Sequence, residues 1–423
     1  MTSIRWLLTI ILAGWAVAAQ ADARSLAASK FRTQLETRVL PYWYDTALDK
    51  TNGGYLLSDN ADKSAPPATV KQLVSQARMV WGFSHAWNKG YRDPQRDYLA
   101  AAQSGYDFLI KHFLDKKNGG YYWETDLRGK PVNERKILYG ESFVIYALVE
   151  YHRACGQYTP LRQAMELYEV IQKRAHDAKN GGWIEHFEKD WKPILTDDPG
   201  VQVEVGGLKS ANTHLHLMEA LSELYQTTGD EKVGQSLREA LHINTTYFYP
   251  LDPGKSCFHK QQDWKAATGG RSDGLSYGHN VEFAWLMIRA QQVLREDFSW
   301  DQFNAHLEHA LKYGYDQKRG GLYSRGTGDK PATDRDKIWW VQAEMLAALT
   351  DALTHDSNRA YSKALKQEID FILQYQVEPK TGIWYDTVTE DGKPKNPTLA
   401  HNWKANYHDV RGMIKFIGAF AKP

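Results

Sequence analysis

The 423-residue sequence has little cysteine and almost no net charge, and both shortages limit what the protein can be. The two cysteines, Cys155 and Cys257, permit at most one disulfide. The sequence leaves open whether they pair or remain separate buried thiols. With 52 basic and 51 acidic residues the formal charge is +1, so there is no electrostatic basis for a nucleic-acid partner.

The sequence also lacks an apolar segment of membrane-spanning length near its start. The apolar stretch from Trp6 to Ala19 has 14 residues, whereas a spanning helix needs ~20. Arg5 precedes this stretch and small residues in an Ala-x-Ala pattern follow it, which is typical of a secretory signal. We therefore predict a signal peptide over 1–23 and a periplasmic or secreted protein without membrane contact after cleavage. An uncleaved anchor is the alternative.

No Pro/Ser-rich linker or low-complexity stretch divides the rest of the chain, which predicts one domain over 24–423. What this domain contains instead is a repeated phrase of the form Asp-x-Lys-Asn-Gly-Gly-aromatic. The first glycine of each recognisable copy falls at 53, 119, 181, 320 and 382. A degenerate copy, Asp252–Phe258, occupies the one interval of double length. The chain therefore has six units of roughly 65 residues.

Each phrase predicts a tight turn followed by a short extended stretch, because Asn-Gly and Gly-Gly permit positive φ. Between phrases, apolar residues recur at helical spacing in pairs of segments. In the first two units these segments are Gln72–Lys89, Asp93–Lys111, Tyr139–Ala154 and Thr159–His176. Six helix pairs with short β-hairpin-like loops predict an all-α fold, the closed (α/α)6 barrel. An open solenoid is the alternative.

Polar and aromatic residues stand at the start of the first helix of each pair. They lie in Gln76–Arg78, Tyr139–Glu141, Asn212–His216, Tyr277–Glu282, Trp339–Glu344 and Asn406–Arg411. In a closed barrel these equivalent positions converge at one end of the axis. The pattern therefore predicts a single concave site lined by polar and aromatic side chains.

The histidines are the residues of this set that are best suited to acid/base catalysis. His279 and Glu282 are three residues apart and share a helix face, where a carboxylate can orient the imidazole. Asn212 and His216 also share a face, whereas His214 points elsewhere. His408 opens the last helix. Histidines at equivalent positions of different units favour acid/base chemistry.

Three other functions remain open from the residues alone. Three histidines could form a zinc site, although His-Glu-x-x-His and Cys-x-x-Cys motifs are absent. A glycoside hydrolase would need paired carboxyl groups. Its candidates, Asp197, Asp198, Asp273, Asp334 and Asp336, show no telling spacing. A non-catalytic sugar-binding module would use the 15 tryptophans and 24 tyrosines only for contact.

The helix-start motifs resemble those of the N-acylglucosamine 2-epimerase superfamily, and most closely those of its cellobiose and mannobiose 2-epimerases. The resemblance is carried by Arg78–Ser84, Tyr139–Leu148, Asn212–Glu219, Ser276–Glu282, Trp339–Glu344 and Trp403–His408, which span most of the chain. It implies an (α/α)6 barrel, no metal, no cofactor, a carbohydrate substrate, and inversion at C2 of the reducing-end sugar. We expect a monomer or a weak homodimer.

The resemblance also implies a role for each residue. His279 and His408 are the acid/base pair, and Glu282 supports His279. His216, Asn212, Arg78 and Tyr139 hold the sugar hydroxyls and carbonyl. The rings of Trp403, Trp285, Trp339 and Trp340 line the site, and either of the adjacent pair could face inward. Departures from the family pattern, such as Glu141 in place of a common Gln, leave the preferred sugar open.

The chemistry follows from the sugar. Ring opening exposes an aldehyde and makes the C2 proton acidic, so a neutral histidine can remove it while a cation such as Arg78 stabilises the enediolate. Returning the proton to the other face of C2 gives the epimer, and returning it to C1 gives the ketose. An aldose–ketose isomerase, or an N-acylglucosamine 2-epimerase acting on a monosaccharide, is therefore the alternative. The loop near the degenerate phrase at 254, just before the His279 helix, is the predicted place for substrate selection.

Overall fold

The computed structural model describes residues 23–421, so the predicted signal segment lies outside the described residues except for its last residue. The described chain forms twelve helices that alternate between an outer and an inner layer. The outer helices are α1 (23–34, continued by Leu35–Val39 and Leu40–Ala47), α3 (Tyr98–Phe108 and Leu109–Phe113), α5 (Tyr158–Arg174), α7 (Glu231–Ile243 and Asn244–Phe248), α9 (Trp300–His309 and Ala310–Gly314) and α11 (Arg359–Phe371 and Ile372–Gln376). The inner helices are α2 (Leu73–Asn88), α4 (Leu138–Cys155), α6 (Ala211–Thr228), α8 (Tyr277–Leu294), α10 (Trp339–His355) and α12 (His408–Phe420).

The two layers differ in how their sequences are patterned. Inner helix α4 buries every residue from Leu138 to Tyr151, because it is covered on both sides. Outer helix α7 is amphipathic and buries Val233, Leu237 and Ala240 on one face. The predicted helices are confirmed, with one shifted boundary. The segment predicted from Asp93 begins as helix only at Tyr98, because the Asp97 side chain caps the amide of Ala100.

The inner helices form a closed ring. Each packs on the next, and α12 packs on α2. The short strands follow the same ring, since the strand before each inner helix pairs antiparallel with the strand of the next unit. The pairs are β2–β3 (Val70–Gln72, Glu124–Asp126), β5–β6 (Lys136–Ile137, His186–Phe187), β7–β8 (Lys209–Ser210, His259–Lys260), β9–β10 (Leu275–Ser276, Arg325–Gly326), β11–β12 (Lys337–Ile338, Thr387–Val388) and β13–β1 (Thr398–Ala400, Asp59–Asn60). β3 also forms a hairpin with β4 (Pro131–Asn133).

The pair β1–β13 joins the first unit to the last, which closes the barrel. Helix α1 was not predicted, and it completes the sixth helix pair by packing on α12 through Phe31 and Phe416, whose rings lie 5.6 Å apart. The predicted (α/α)6 architecture is therefore confirmed. Cys155 and Cys257 are free and half-buried. Within residues 23–421, no helix combines the length and the apolar character needed to cross a bilayer.

The repeated phrase is a turn held by a buried ion pair. Gly53 and Gly54 adopt φ of +83° and +67°, which favours glycine. Asp49 accepts the amide of Thr51, and Lys71 Nζ donates to Asp49 Oδ2 at 2.8 Å. Three other units repeat this contact as Asp115–Lys136, Asp177–Lys209 and Asp316–Lys337. We call these four contacts the turn pairs. Their lysine side chains are fully buried and stand two residues before the inner helix.

Some helix-start residues predicted for the concave site serve these turns instead. The side chain of Gln76 accepts the amide of Tyr55 and donates to its carbonyl, both at 2.9 Å. Glu141, His214 and Gln342 occupy the same helix position and each accept the amide of the residue that follows a Gly-Gly. Gln76, Glu141 and Gln342, which belong to the helix-start set predicted to line the site, therefore bond to the turns, whereas His214 points elsewhere as expected. The fourth residue of these four helices belongs to the scaffold.

Candidate active site

One wall of the site is built by inner helices α2, α4 and α6. Arg78 Nη2 donates to the hydroxyl of Tyr139 at 2.8 Å, and its Nη1 donates to the carbonyl of Trp403 at 3.0 Å. The ring of Tyr139 lies edge-on to His216, with ring centres 5.4 Å apart. The guanidinium carbon of Arg78 lies 4.4 Å from the ring centre of Phe143. This wall therefore places a fixed cation beside a tyrosine hydroxyl and an imidazole.

The other wall is built by α8, α10 and α12. The ring of Trp340 lies 4.7 Å from that of His279 and 5.8 Å from that of His408, so the two histidines flank one indole. His279 and Trp340 are partly exposed, whereas His408 is buried. Trp339 is buried and lies edge-on to His401, with ring centres 5.7 Å apart. Trp340 is therefore the member of the adjacent pair that faces the site.

The rim contains a charged residue that the sequence did not indicate. Glu204 adopts φ of +58° and accepts a hydrogen bond from Asn212 Nδ2 at 2.8 Å. Its other oxygen lies 2.9 Å from Nε2 of His259, which stands on the loop that follows the degenerate phrase. Trp403, half-buried, lies 6.3 Å from Tyr139 between ring centres. The loop predicted for substrate selection thus reaches Asn212 through Glu204.

A buried arginine closes the floor of the site. Arg411, from α12, donates to Glu344 at 2.8 Å and to Glu282 at 2.9 Å, and it also contacts Glu219 from α6. In a ring of six helices, α6 faces α12, so the Arg411–Glu219 contact crosses the barrel axis. We call Arg411 and these three glutamates the arginine cluster.

Two of these glutamates hold histidines of the site. Glu219 Oε2 lies 2.9 Å from Nδ1 of His216, and Glu344 Oε1 lies 2.6 Å from Nδ1 of His408. The predicted support of His279 by Glu282 is wrong. Glu282 is turned towards Arg411, and within the described residues Nδ1 of His279 has no hydrogen-bond partner. The helix spacing was compatible with a contact, but Glu282 accepts a hydrogen bond from Arg411 instead.

Burial keeps the histidines of the resting site neutral. It lowers the pKa of His408 to about 3 and that of His279 to about 4, and it also lowers the pKa of His216. The bonded or nearby carboxylates oppose these shifts without cancelling them. All three rings are therefore neutral at neutral pH and able to accept a proton.

Two carboxyl groups of the arginine cluster, those of Glu282 and Glu344, have pKa values shifted in opposite directions. Burial, reinforced by the charge of Glu344, raises the pKa of Glu282 well above its usual range. Burial also opposes ionisation of Glu344, but Arg411 and His408 together lower the pKa of Glu344 to about 2. Glu344 is therefore ionised at neutral pH, whereas Glu282 keeps its proton to a higher pH than a free glutamate does.

Trp285 does not line the concave site, which corrects the prediction for this residue. Its Nε1 donates to Glu344 at 2.9 Å from below, and the cationic groups of Arg411 and Lys415 each lie 4.7 Å from its ring. It lines a cavity of about 730 Å³ at the opposite end of the inner helices, together with Trp81 and His85. Trp285 therefore supports the floor of the site from the other side.

The structure bears on two alternatives from the sequence, the metal site and the glycoside hydrolase. Glu282, Glu344 and His408 bring candidate ligand atoms within 4.8 Å of one another, but Arg411 donates to both carboxylates. We therefore assign these groups to the arginine cluster and do not regard them as metal ligands. Among the acids considered for glycoside hydrolysis, Asp198 and Asp336 pair with Arg135 and Lys395. Asp197 pairs with Arg271.

Sequence reasoning missed part of the site for two reasons. Glu219 and Arg411 each stand three residues after a predicted histidine, so helix spacing could have suggested them. Glu344 lay within a quoted motif but received no role. Glu204 and His259 come from loops, where spacing along the chain does not reveal proximity.

Comparison with known proteins places this geometry in a family. The sequence model of the N-acylglucosamine 2-epimerase (GlcNAc 2-epimerase) family matches residues 54–411. The cellobiose 2-epimerase of Dictyoglomus turgidum is 28% identical over 397 residues, covering 92% of this chain and 97% of that protein. The cellobiose 2-epimerase of Ruminococcus albus is 30% identical over 400 residues, covering 92% and 98%.

A solved structure gives the same answer for the fold. The cellobiose 2-epimerase of Spirochaeta thermophila superposes with a TM-score of 0.84 at 30% identity, over 94% of this chain and 98% of that one. The family predicted from the helix-start motifs and the predicted barrel are both confirmed. On the match over residues 54–411 and the shared fold, the chain belongs to the N-acylglucosamine 2-epimerase family.

Proposed function

We propose that this protein inverts C2 of the reducing-end aldose of a β-1,4-linked disaccharide of the cellobiose or mannobiose type. The observation that carries the proposal is the grouping of three neutral imidazoles with the cation of Arg78. In this group Tyr139 lies next to Arg78 and His216, and Trp340 lies between His279 and His408. Similarity to several cellobiose 2-epimerases supports the disaccharide as substrate.

The residues fit an enediolate mechanism. In the open-chain sugar, the guanidinium of Arg78 and the hydroxyl of Tyr139, 2.8 Å apart, are placed to stabilise the oxygen that gains negative charge. His408 has Nδ1 engaged by Glu344, so its Nε2 is the nitrogen free to take or return a proton. His279 flanks the same indole and supplies the second acid/base group. Trp340 and Trp403 offer partly exposed rings for contact with the sugars.

Exchange of the C2 proton tests the reaction directly. Purified protein is incubated in deuterated water with cellobiose, mannobiose, mannose, glucose and N-acetylglucosamine, and the products are followed by proton NMR. We expect deuterium at C2 and the C2 epimer of a disaccharide. Ketose formation would favour the isomerase alternative, shorter sugars would mean hydrolysis, and unchanged sugar would mean binding only.

Single substitutions assign the histidines. His279→Ala and His408→Ala should each abolish C2 exchange, because each removes one acid/base group. His85→Ala is the matched control, since His85 lines the cavity at the opposite end of the barrel. Wild-type exchange in either active-site variant would remove that histidine from the mechanism. The predicted export of the protein is a separate proposal, tested by N-terminal sequencing of material recovered from the native host.

A further inference from the structure

The arginine cluster links two histidines that stand on facing helices. Arg411 contacts Glu219, which holds His216 on α6, and Glu344, which helps to fix His408 on α12. The phenol of Tyr407 also bonds to Glu219, at 2.8 and 2.9 Å from its two oxygens. A single guanidinium thus sits between the carboxylate partners of both histidines.

The protonation of these groups follows from their bonds. The charge of Arg411 lowers the pKa of Glu219 and that of Glu344 against the opposing effect of burial, so both carboxylates stay ionised, and an ionised carboxylate only accepts hydrogen bonds. Nδ1 of His216 and Nδ1 of His408 must then carry the proton, which leaves Nε2 of each ring as the basic nitrogen. The tautomer of both histidines is therefore set from the floor of the site.

The charge of the rings follows from the other groups around Arg411. The acidic groups that face it are Glu219, Glu282, Glu344, Tyr146 and Tyr407. The basic groups nearby are His216, His408, Lys415 beyond the Trp285 ring, and Arg78 across the Tyr407 ring. Glu219 and Glu344 are ionised, and the single charge of Arg411 offsets one of these two negative charges. Removing Arg411 would leave both carboxylates free to attract a proton onto the imidazoles.

We propose that Arg411 is a positioning residue that fixes the tautomer of His216 and His408 and keeps both rings neutral, acting through Glu219 and Glu344. This inference rests on the proposed epimerisation for its effect on rate. Its effect on the histidines themselves is independent of any sugar. Arg411 touches neither substrate nor reacting atoms in this scheme.

The test compares Arg411→Gln with Arg411→Lys and with the control Arg289→Gln. Arg289 lines the opposite cavity and pairs with Glu223, away from the arginine cluster. The pH profile of kcat/KM for C2 exchange should move its acidic limb upward by about one to three pH units in Arg411→Gln, because a base that has become protonated is inactive. Arg411→Lys should show a smaller upward shift, and Arg289→Gln should show none. An unmoved limb in a folded Arg411→Gln would overturn the proposal.

Histidine titration by 1H–15N NMR separates this inference from the proposed function. In the wild-type protein, His216 and His408 should be neutral, with the proton on Nδ1, at pH 6. In Arg411→Gln the same resonances should titrate at least about one pH unit higher. Imidazolium signals from both residues in the wild type at pH 6 would refute the proposal even if the variants fail to fold. Absence of sugar turnover with the expected titration would refute only the proposed function.

Discussion

The turn pairs and the active site with its arginine cluster are two buried polar networks near the starts of the inner helices. They differ in how many of their polar atoms have a hydrogen-bond partner. The turn pairs recur in four units, and each lysine bonds to a carboxylate inside a Gly-Gly turn. The site and its arginine cluster occur once. They contain buried atoms without a partner among the described residues, such as Nδ1 of His279, Oε2 of Glu282 and Nε of Arg411.

The difference teaches where this barrel is stable and where it is reactive. In a turn pair, the lysine and the aspartate are both hydrogen-bonded, so the pair stabilises its turn and keeps its protonation state. Unpartnered polar atoms in a buried centre are destabilising unless something else uses them. Changes in the turns should therefore lower stability and spare the chemistry, whereas changes in the centre should do the reverse.

The largest expected effect is on stability and comes from a turn pair. Lys136→Met leaves the carboxylate of Asp115 buried without its cation, 3.0 Å from where Nζ stood. Breaking a buried pair in this way should lower the free energy of unfolding by about 3–5 kcal/mol. Urea denaturation measures the loss, with Lys189→Met as the control for an exposed pair to Glu134 that should cost under ~1 kcal/mol. A loss as small as the control's would mean that the turn pairs do not stabilise the ring.

The next effect is on rate and comes from the centre. Arg78→Met removes the cation that is placed to stabilise the enediolate, so kcat for C2 exchange should fall about 100- to 1,000-fold. The melting temperature should change little, since the remaining contacts of that wall are aromatic. Arg162→Met, on the surface beside Glu166, provides the control. A variant that melts far below the wild type but keeps its kcat would place Arg78 in the scaffold instead.

Glu141 belongs to the scaffold, yet its pKa is strongly shifted, as is that of Glu282 in the arginine cluster. Burial raises the pKa of Glu141 to about 8, against 4.5 for the free side chain. A folded pKa above the unfolded value means that stability is lost as pH rises from about 4.5 towards 8. Glu141 accepts the amide of Tyr121 as Gln76 accepts that of Tyr55, so the protonated acid takes the place of an amide.

Glu141→Gln should therefore stabilise the protein by an amount that grows as pH rises from about 4.5 towards 8. We expect a gain of about 2–4 kcal/mol in the free energy of unfolding at pH 8 and almost none at pH 4.5. Gln at this position can also donate to the carbonyl of Tyr121, as Gln342 donates to that of Leu322. Denaturation curves at both pH values measure the difference. An equal gain at both would show that the amide bond, and not ionisation, is responsible.

The difference between the two networks also explains which parts of the fold and of the site could be predicted from the sequence. The Gly-Gly period predicted six units, and the helix-start motifs predicted which helices supply Arg78, His216, His279 and His408. The turn lysines escaped notice because a lysine before a helix is usually a solvated residue, and only the packed structure buries it. Helix α1 precedes the first phrase and so lay outside the repeat. Glu282 was assigned by spacing alone, and spacing does not include the cation that α12 brings across the axis.

The smallest expected effect separates two adjacent tryptophans of one helix. Trp340 lies between His279 and His408, whereas Trp339 is buried next to His401 and 5.5 Å from Nζ of Lys404. Trp340→Phe should raise KM for the disaccharide about two- to tenfold through loss of ring contact and leave the melting temperature unchanged. Trp339→Phe should lower the melting temperature by a few degrees, through about 1 kcal/mol of lost packing, and leave KM unchanged. Because both changes are chemically identical and one residue apart, opposite effects would show that the boundary between scaffold and site runs between neighbouring positions. The reverse assignment would mean that the indole facing the histidines contributes to the core and not to sugar binding.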